Sequence, residues 1–207
     1  MRVFVVGAKA QARLVHNMLV KAGHTAPFVY DRNPKVNKPW ECTLFSDDNK
    51  LDKYASECDA FIVCVAGGYG RDRVAYSERL LRLGLEPISA IHPSSFIGEN
   101  VIVGRGLQVM PGAVVNDFVT IGDFCILNSN CSVDHDCQLG RGVHVMGAAA
   151  LAGAVTVGDF SSIGTNATIL PNIEIGQNVF VGAGAVVTKS VSSNSTVVGV
   201  PAKPIRR

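Results

Sequence analysis

The chain has 207 residues, 47% of them apolar, which is enough for one large or two small domains with a real core. Its formal net charge of +2 argues against a nucleic-acid or anionic-membrane partner. The opening MRVFVVG is too short an apolar run for a signal peptide, and no stretch approaches the ~20 apolar residues of a membrane span, so a soluble cytoplasmic protein is expected.

The first part, residues 1–91, reads as a small α/β domain. Arg2 to Val6 is an apolar strand, Ala10 to Ala22 a helix ended by Gly23, and Ala26 to Tyr30 a second strand. The polar stretch from Asp31 to Lys53 reads as loop with one short strand near Thr43. Asp59 to Val65 is a third strand, Arg71 to Leu83 a helix closed by Gly84, and Pro87 to Ile91 a fourth strand. This order is that of a Rossmann-like parallel sheet with covering helices. The turn after the first strand is Gly7, Ala8, Lys9, Ala10, and backbone N–H groups at such a helix start suit phosphate. A full dinucleotide fingerprint is not met, because its second glycine falls at Lys9. Asp31 stands about 20 residues past the turn, where an acid can hold a ribose. The same residues also suit a tight connection and a solvated aspartate. Gly67, Gly68 and Gly70 make a second flexible turn at the same end of the sheet, so a nucleotide pocket is a candidate there.

From residue 92 to residue 207 the pattern changes. Every sixth residue from Ile97 to Val187 is aliphatic, a spacing that fits neither the ~3.6-residue period of a helix nor the ~2-residue alternation of a strand. A second column, four residues on, is small or apolar, from Val101 through Cys131 to Ala185. This is an internal repeat of hexapeptide type, a parallel β-helix with three flat strands per coil and about five coils. Gly104, Gly122, Gly140, Gly158 and Gly176 recur once per coil, and are expected at a corner that needs positive φ. Phe118, Phe124, Phe160 and Phe180 are placed on the outer faces, where apolar exposure points to packing against a neighbouring copy.

Of the six cysteines, Cys125, Cys131 and Cys137 fall in the small inward column, where a free thiol packs as a hydrophobe. No CxxC pair occurs, and only His135 and His144 lie inside the repeat, so a metal site is not expected. His135 is placed outward between Asp134 and Asp136. An adjacent carboxylate orients an imidazole and raises its pKa, as a general base requires, although a polar residue on an outward face needs no such role. The end, Val198 to Arg207, suits a cap over the last coil or an extended basic segment along a phosphate-rich ligand.

The hexad array, the run Asn128-Ser-Asn-Cys-Ser-Val-Asp-His135-Asp136-Cys137, the step Leu151-Ala-Gly153 and the terminal Gly199-Val-Pro-Ala-Lys-Pro204 resemble the left-handed β-helix acyltransferases. The two-part layout is similar to those with an N-terminal nucleotide-binding domain, the N-acetyltransferases of nucleotide-linked 4-amino-4,6-dideoxysugars and their sialic acid O-acetyltransferase relatives. The resemblance implies acetyl transfer from acetyl-CoA, as co-substrate, to the C4 amine of such a sugar, in a homotrimer with no metal. It implies His135 as base, Asp136 as its partner and the Gly153 N–H as a donor to the thioester oxygen. Gly7, Lys9, Ala10, Asp31, Arg32, Gly67 and Asn128 would hold the nucleotide sugar. His144, Gly153, Gly164, Gly182, Pro201, Lys203 and Arg206 would hold acetyl-CoA. The turn departs from the family pattern at Ala10, Gln11 and Ala12. A sugar O-acetyltransferase would use the same base, and a non-catalytic nucleotide-binding scaffold would use the solenoid only to trimerise. A nicotinamide-dependent oxidoreductase is disfavoured by Lys9 and Ala10.

Overall fold

The computed structural model describes residues 1–205. The chain divides into two compact units: residues 1–66 with 72–90, and residues 67–71 with the chain from Ile91 onward.

The first unit is built on a parallel sheet. Strand β1 (Arg2–Val6) leads through Gly7 into helix α1 (Ala10–Lys21), then β2 (Thr25–Tyr30), β3 (Thr43–Phe45), a 3₁₀ turn at Asp48–Lys50, and α2 (Leu51–Ala55). β4 (Ala60–Val63), α3 (Gly70–Arg82) and β5 (Glu86–Pro87) follow, and the sheet order is β3-β2-β1-β4-β5. β1 and β4 are continuous apolar runs, as a strand covered on both faces must be, and Val3 to Val6 and Ala60 to Val63 are all buried. The expected short strand near Thr43 is β3, paired parallel to β2. The 3₁₀ turn and α2 were not expected. Asp47 caps the turn by accepting the Asn49 N–H at 3.1 Å, and Leu51 and Ala55 supply the only anchors such a short helix has in the core. The single strand expected over Pro87 to Ile91 is instead two: β5 joins this sheet, and β6 (Ala90–Ile91) opens the solenoid.

The second unit is a parallel β-helix built mostly of two-residue strands, in sheets of six, five and eight strands. Residues eighteen apart pair directly, as Val115 with Val133 and Val133 with Leu151. Inward aliphatic and small residues form one continuous core from Leu107 to Val197. Cys125, Cys131 and Cys137 are buried in it; burial pushes the Cys131 thiol up to about 12, so it stays protonated and inert. Past Val187 the repeat shortens, since Ile175 bridges Val191 and Phe180 pairs with Thr196, sixteen residues on. The C-terminal strand Lys203–Ile205 then turns back antiparallel on Thr196–Val198.

Two corner expectations are corrected. Left-handed conformations recur every six residues, but they fall at Phe118, Phe124, Asn130, Asp136, Ala148 and their equivalents, with glycine only at positions such as Gly106 and Gly142. Gly104, Gly122, Gly140, Gly158 and Gly176 are not in that conformation. They are there because coils stack backbone on backbone: a Cβ on Gly122 would lie 2.8 Å from the Gly140 carbonyl carbon, and one on Gly104 would lie 2.5 Å from Asp123 N. Phe124 is also not exposed; it is 4% accessible, whereas Phe118 is 63% accessible. Among the described residues no helix is long and apolar enough to cross a membrane.

Candidate active site

His135 and Asp136 occupy the turn between the strands Ser132–Val133 and Gln138–Leu139, at a corner where two of the sheets meet. Asp136 takes the left-handed position of that turn at φ 60°, a conformation aspartate tolerates better than most residues. The turn points both side chains into solvent, and each is 59% accessible. His135 Nδ1 lies 2.7 Å from Asp136 Oδ2. A carboxylate only accepts, so Nδ1 carries the proton and the neutral ring presents its lone pair at Nε2. The hydrogen bond to Asp136, reinforced by the charge of Asp134, raises the imidazole pKa above its ordinary value.

One coil further on, Gly153 lies directly against this ring. A Cβ there would sit 2.6 Å from His135 Cε1 and 2.7 Å from Nε2, so any larger residue would push the imidazole from where it stands. The His135 carbonyl accepts the Ala154 N–H at 2.9 Å, tying the two turns together. The arrangement is an imidazole held at Nδ1 by Asp136, with a buried glycine against the ring and a side chain largely open to solvent. Such a group can take a proton from an incoming nucleophile and return it to a leaving group.

His144 lies on a strand of the eight-stranded sheet, and Asn128 directly follows a strand of that same sheet, Ile126–Leu127. The Ser129 N–H donates to Asn128 Oδ1 at 2.7 Å, which fixes the amide so that its Nδ2 faces His144 Nε2 at 3.4 Å. On the other side of the ring, His144 Nδ1 accepts the Gly67 N–H at 3.1 Å and lies 3.2 Å from the Gly67 carbonyl oxygen. His144 is thus 2% accessible and set beneath the turn of residues 67–71. This turn needs its glycines for closeness: a Cβ on Gly70 would lie 2.5 Å from the Gly142 carbonyl oxygen. A cavity of about 380 Å³ opens beside it, lined by Gly68, Tyr69, Phe160, Ser162, Asn178 and Phe180.

Gly164 and Gly182 are buried, Gly164 where a Cβ would lie 2.5 Å from the Val181 carbonyl oxygen and Gly182 where it would lie 2.7 Å from Val198 Cγ1. Pro201 and Lys203 are exposed on the C-terminal hairpin. Arg206 and Arg207 lie outside the described residues.

In the α/β unit Gly7 takes φ +96°, and a Cβ there would be 3.1 Å from the Cys64 carbonyl oxygen. Asp31 is not a solvated aspartate. It is 8% accessible, accepting the Ala8 N–H at 2.9 Å on Oδ2 and the Asn33 N–H at 2.9 Å on Oδ1. It therefore holds the Gly7 turn in shape. Lys9 and Ala10 are exposed at the start of α1, and Arg32 pairs with Asp72 at 3.2 Å. No group of histidine, cysteine and carboxylate side chains among the described residues could hold a metal ion.

The bacterial transferase hexapeptide family, described as six repeats, matches residues 154–189. Perosamine N-acetyltransferase from Caulobacter crescentus, solved as a histidine-to-asparagine variant with CoA and GDP-perosamine, superposes with a TM-score of 0.92 and 31% identity over 100% of this chain and 98% of that one. The chain belongs to the hexapeptide-repeat acetyltransferases. The acetyltransferase domain of PglB from Neisseria gonorrhoeae gives a TM-score of 0.87 at 29% identity, covering 99% of each chain. WeeI from Acinetobacter baumannii gives 0.86 at 26%, over 99% of this chain and 100% of that one. Among curated proteins, no sequence matches.

Within this hexapeptide-repeat acetyltransferase the sequence pattern missed one side chain at the corner. Asn116 donates from Nδ2 to Asp134 Oδ1 at 2.7 Å. The signal was available, since Asn116 stands one eighteen-residue coil before Asp134. A polar residue two coils from Ala152 in an otherwise unremarked column gave no reason to single it out.

Proposed function

We propose that the protein transfers the acetyl group of acetyl-CoA to the C4 amine of a nucleotide-linked 4-amino-4,6-dideoxysugar. The observation that carries this is the full-length likeness to perosamine N-acetyltransferase bound to CoA and GDP-perosamine, together with a histidine–aspartate pair set over a glycine in this chain. A GDP-linked amino sugar is accordingly the first substrate to offer. The neutral C4 amine attacks the thioester carbonyl while His135 Nε2 accepts the proton it sheds. The Gly153 N–H steadies the oxyanion, a contribution of roughly 3 kcal/mol for a well-placed donor. Collapse of the tetrahedral intermediate expels the CoA thiolate, which takes the proton back from His135. Asp136 keeps the imidazole in the required tautomer throughout. The buried cysteines take no part, so transfer is direct, without an acyl-enzyme.

We read the α/β unit as a Rossmann-like nucleotide site. Its parallel strand order, the Gly7 turn opening α1 and the exposed Lys9, Ala10 and Arg32 support that reading. The β-helix unit is then the acetyltransferase, with Asn128 and Gly67 on the acceptor side and His144, Gly164, Gly182, Pro201 and Lys203 toward CoA. The assembly is a cytoplasmic homotrimer; exposed Phe96, Val114 and Phe118 on the solenoid support a packed neighbour.

The test is a steady-state assay of CoA release with acetyl-CoA and GDP-perosamine. His135→Ala removes the base but no core side chain, so the protein should stay folded while turnover falls by two or more orders of magnitude. A variant keeping more than about a tenth of wild-type turnover at neutral pH would remove His135 from the chemistry.

A further inference from the structure

We propose that Asn116 is a positioning residue for His135: from the coil above, its amide holds the Asp134 carboxylate beneath the His135 peptide N–H, and so sets where the imidazole stands over Gly153. Three contacts carry the inference. Asn116 Nδ2 donates to Asp134 Oδ1 at 2.7 Å, a short bond to a charged acceptor. The same oxygen accepts the His135 N–H at 2.8 Å. Both turns are anchored by the coil stack, since the Asn116 N–H donates to the Val133 carbonyl at 2.9 Å and the Asp134 N–H to the Leu151 carbonyl at 3.0 Å. Asn116 therefore reaches across one coil spacing to a carboxylate that is not itself the partner of the imidazole.

The charges around the ring are few. Asp134 and Asp136 flank it on its own turn. Asp117, on the turn above, gives its backbone carbonyl to the Asp136 N–H and aims its carboxylate at the Asn100 N–H, 3.2 Å away. The turn below presents Gly153 and Ala154, which carry no charge. Asp134 is thus the one carboxylate near the ring whose orientation a neutral side chain controls. Hydrogen bonds from Asn116 and from the His135 backbone hold the Asp134 carboxyl below the usual carboxylate range, keeping it charged wherever His135 titrates. With Asn116 removed, the carboxylate keeps the His135 N–H but loses its tie to the neighbouring coil, so its orientation is less fixed. The imidazole then loses part of its electrostatic support, and the turn carrying it loses a fixed point.

This inference rests on the acetyl-transfer reading for its meaning but not for its test. The ligand-free protein, labelled with ¹³C-histidine, is titrated by NMR, the His135 signal being identified by its loss in His135→Ala. Asn116→Ala should move the His135 midpoint to lower pH, and it should not lower it further in an Asp134→Asn background, because the two residues act in series. A folded Asn116→Ala protein with an unmoved midpoint would overturn the proposal, as would an equal displacement in both backgrounds. Asn116→Ser, too short to reach Asp134, gives the same comparison if the alanine variant does not fold. In the assay, turnover should fall about fivefold with both Michaelis constants unchanged, the pattern of a misplaced base. A Michaelis-constant effect without a turnover effect would overturn the positioning role. Absence of acetyl transfer by the wild type would count against the proposed function alone and leave the NMR comparison to decide on Asn116.

Discussion

At the scale of single residues, the chemistry depends on which nitrogen of His135 is free. The bond to Asp136 places the proton on Nδ1, and it raises the imidazole pKa. The sign for catalysis follows directly: a base must be neutral, so activity should be lost as pH falls through a midpoint above the ordinary imidazole value of about 6.5. Asp136→Asn removes the charge and should bring that midpoint down, so the variant retains more of its own plateau activity on the acidic side while its plateau is lower. A pH–rate profile of kcat/KM checks both parts, and an acidic limb that stays in place would detach Asp136 from the base. The same pKa shift has a stability sign. A group whose folded pKa is raised stabilises the fold below its unfolded pKa and loses that contribution as pH rises through the folded one. Because the His135 side chain is largely exposed, any such effect is screened, and the pH–rate profile is the more informative measurement.

Single elements obey backbone geometry more than side-chain chemistry. The solenoid needs a left-handed residue at each corner and fills it mostly with asparagine, aspartate, alanine or phenylalanine, each non-glycine costing of order 1 kcal/mol or more. Glycine is required elsewhere, where adjacent coils touch. Gly122→Ala should therefore destabilise the protein by about 1–3 kcal/mol, since its Cβ would meet backbone that cannot move aside. Gly184→Asn should be close to neutral, because Gly184 sits at φ +66° with nothing within 4 Å of a Cβ, a setting asparagine occupies at other corners. Urea unfolding midpoints of the two variants check the contrast, and equal losses would refute it. In the α/β unit, Asp31→Ala leaves the Ala8 and Asn33 N–H groups without their acceptor, an expected loss of roughly 1–3 kcal/mol. Because Asp31 shapes the Gly7 turn, nucleotide-sugar affinity should fall with it while acetyl-CoA affinity holds. Calorimetry with each ligand would show whether the loss is confined to the nucleotide.

For the whole molecule the exposed apolar side chains point outward from the single chain. Phe118 at 63%, Phe96 at 56% and Ile102 at 68% accessibility lie on the solenoid surface, where an isolated chain gains nothing from them. The homotrimer we propose would cover part of this surface and bring a second chain toward His135. Light scattering at micromolar concentration should return three times the chain mass, and a monomer would remove that assembly. Phe118→Ser should weaken the assembly without disturbing the core, because the side chain touches solvent rather than the stacked interior.

The six-residue period of aliphatic side chains determined the β-helix by itself, because no helix or simple strand can bury such a column. The inward thiols followed from the same register, as did the outward His135 between two carboxylates. The parallel α/β pattern was legible from apolar runs and helix-ending glycines, while α2 was not, being one turn long and set in a polar stretch. What only the tertiary structure decided is which residues meet across coils. Sequence spacing places Gly153 eighteen residues from His135, but that a Cβ there would strike the ring depends on a stack too tight for one. The corner glycines were misread for the same reason, since close approach between backbones leaves no trace in local conformational preference. The spacing of Asp31 suited a ribose or open solvent equally, and only the folded chain turns its carboxylate onto the Ala8 N–H, while Asn116 had no local mark at all. Its role arises from one coil lying on the next, a relation in space that a one-dimensional period announces but does not populate.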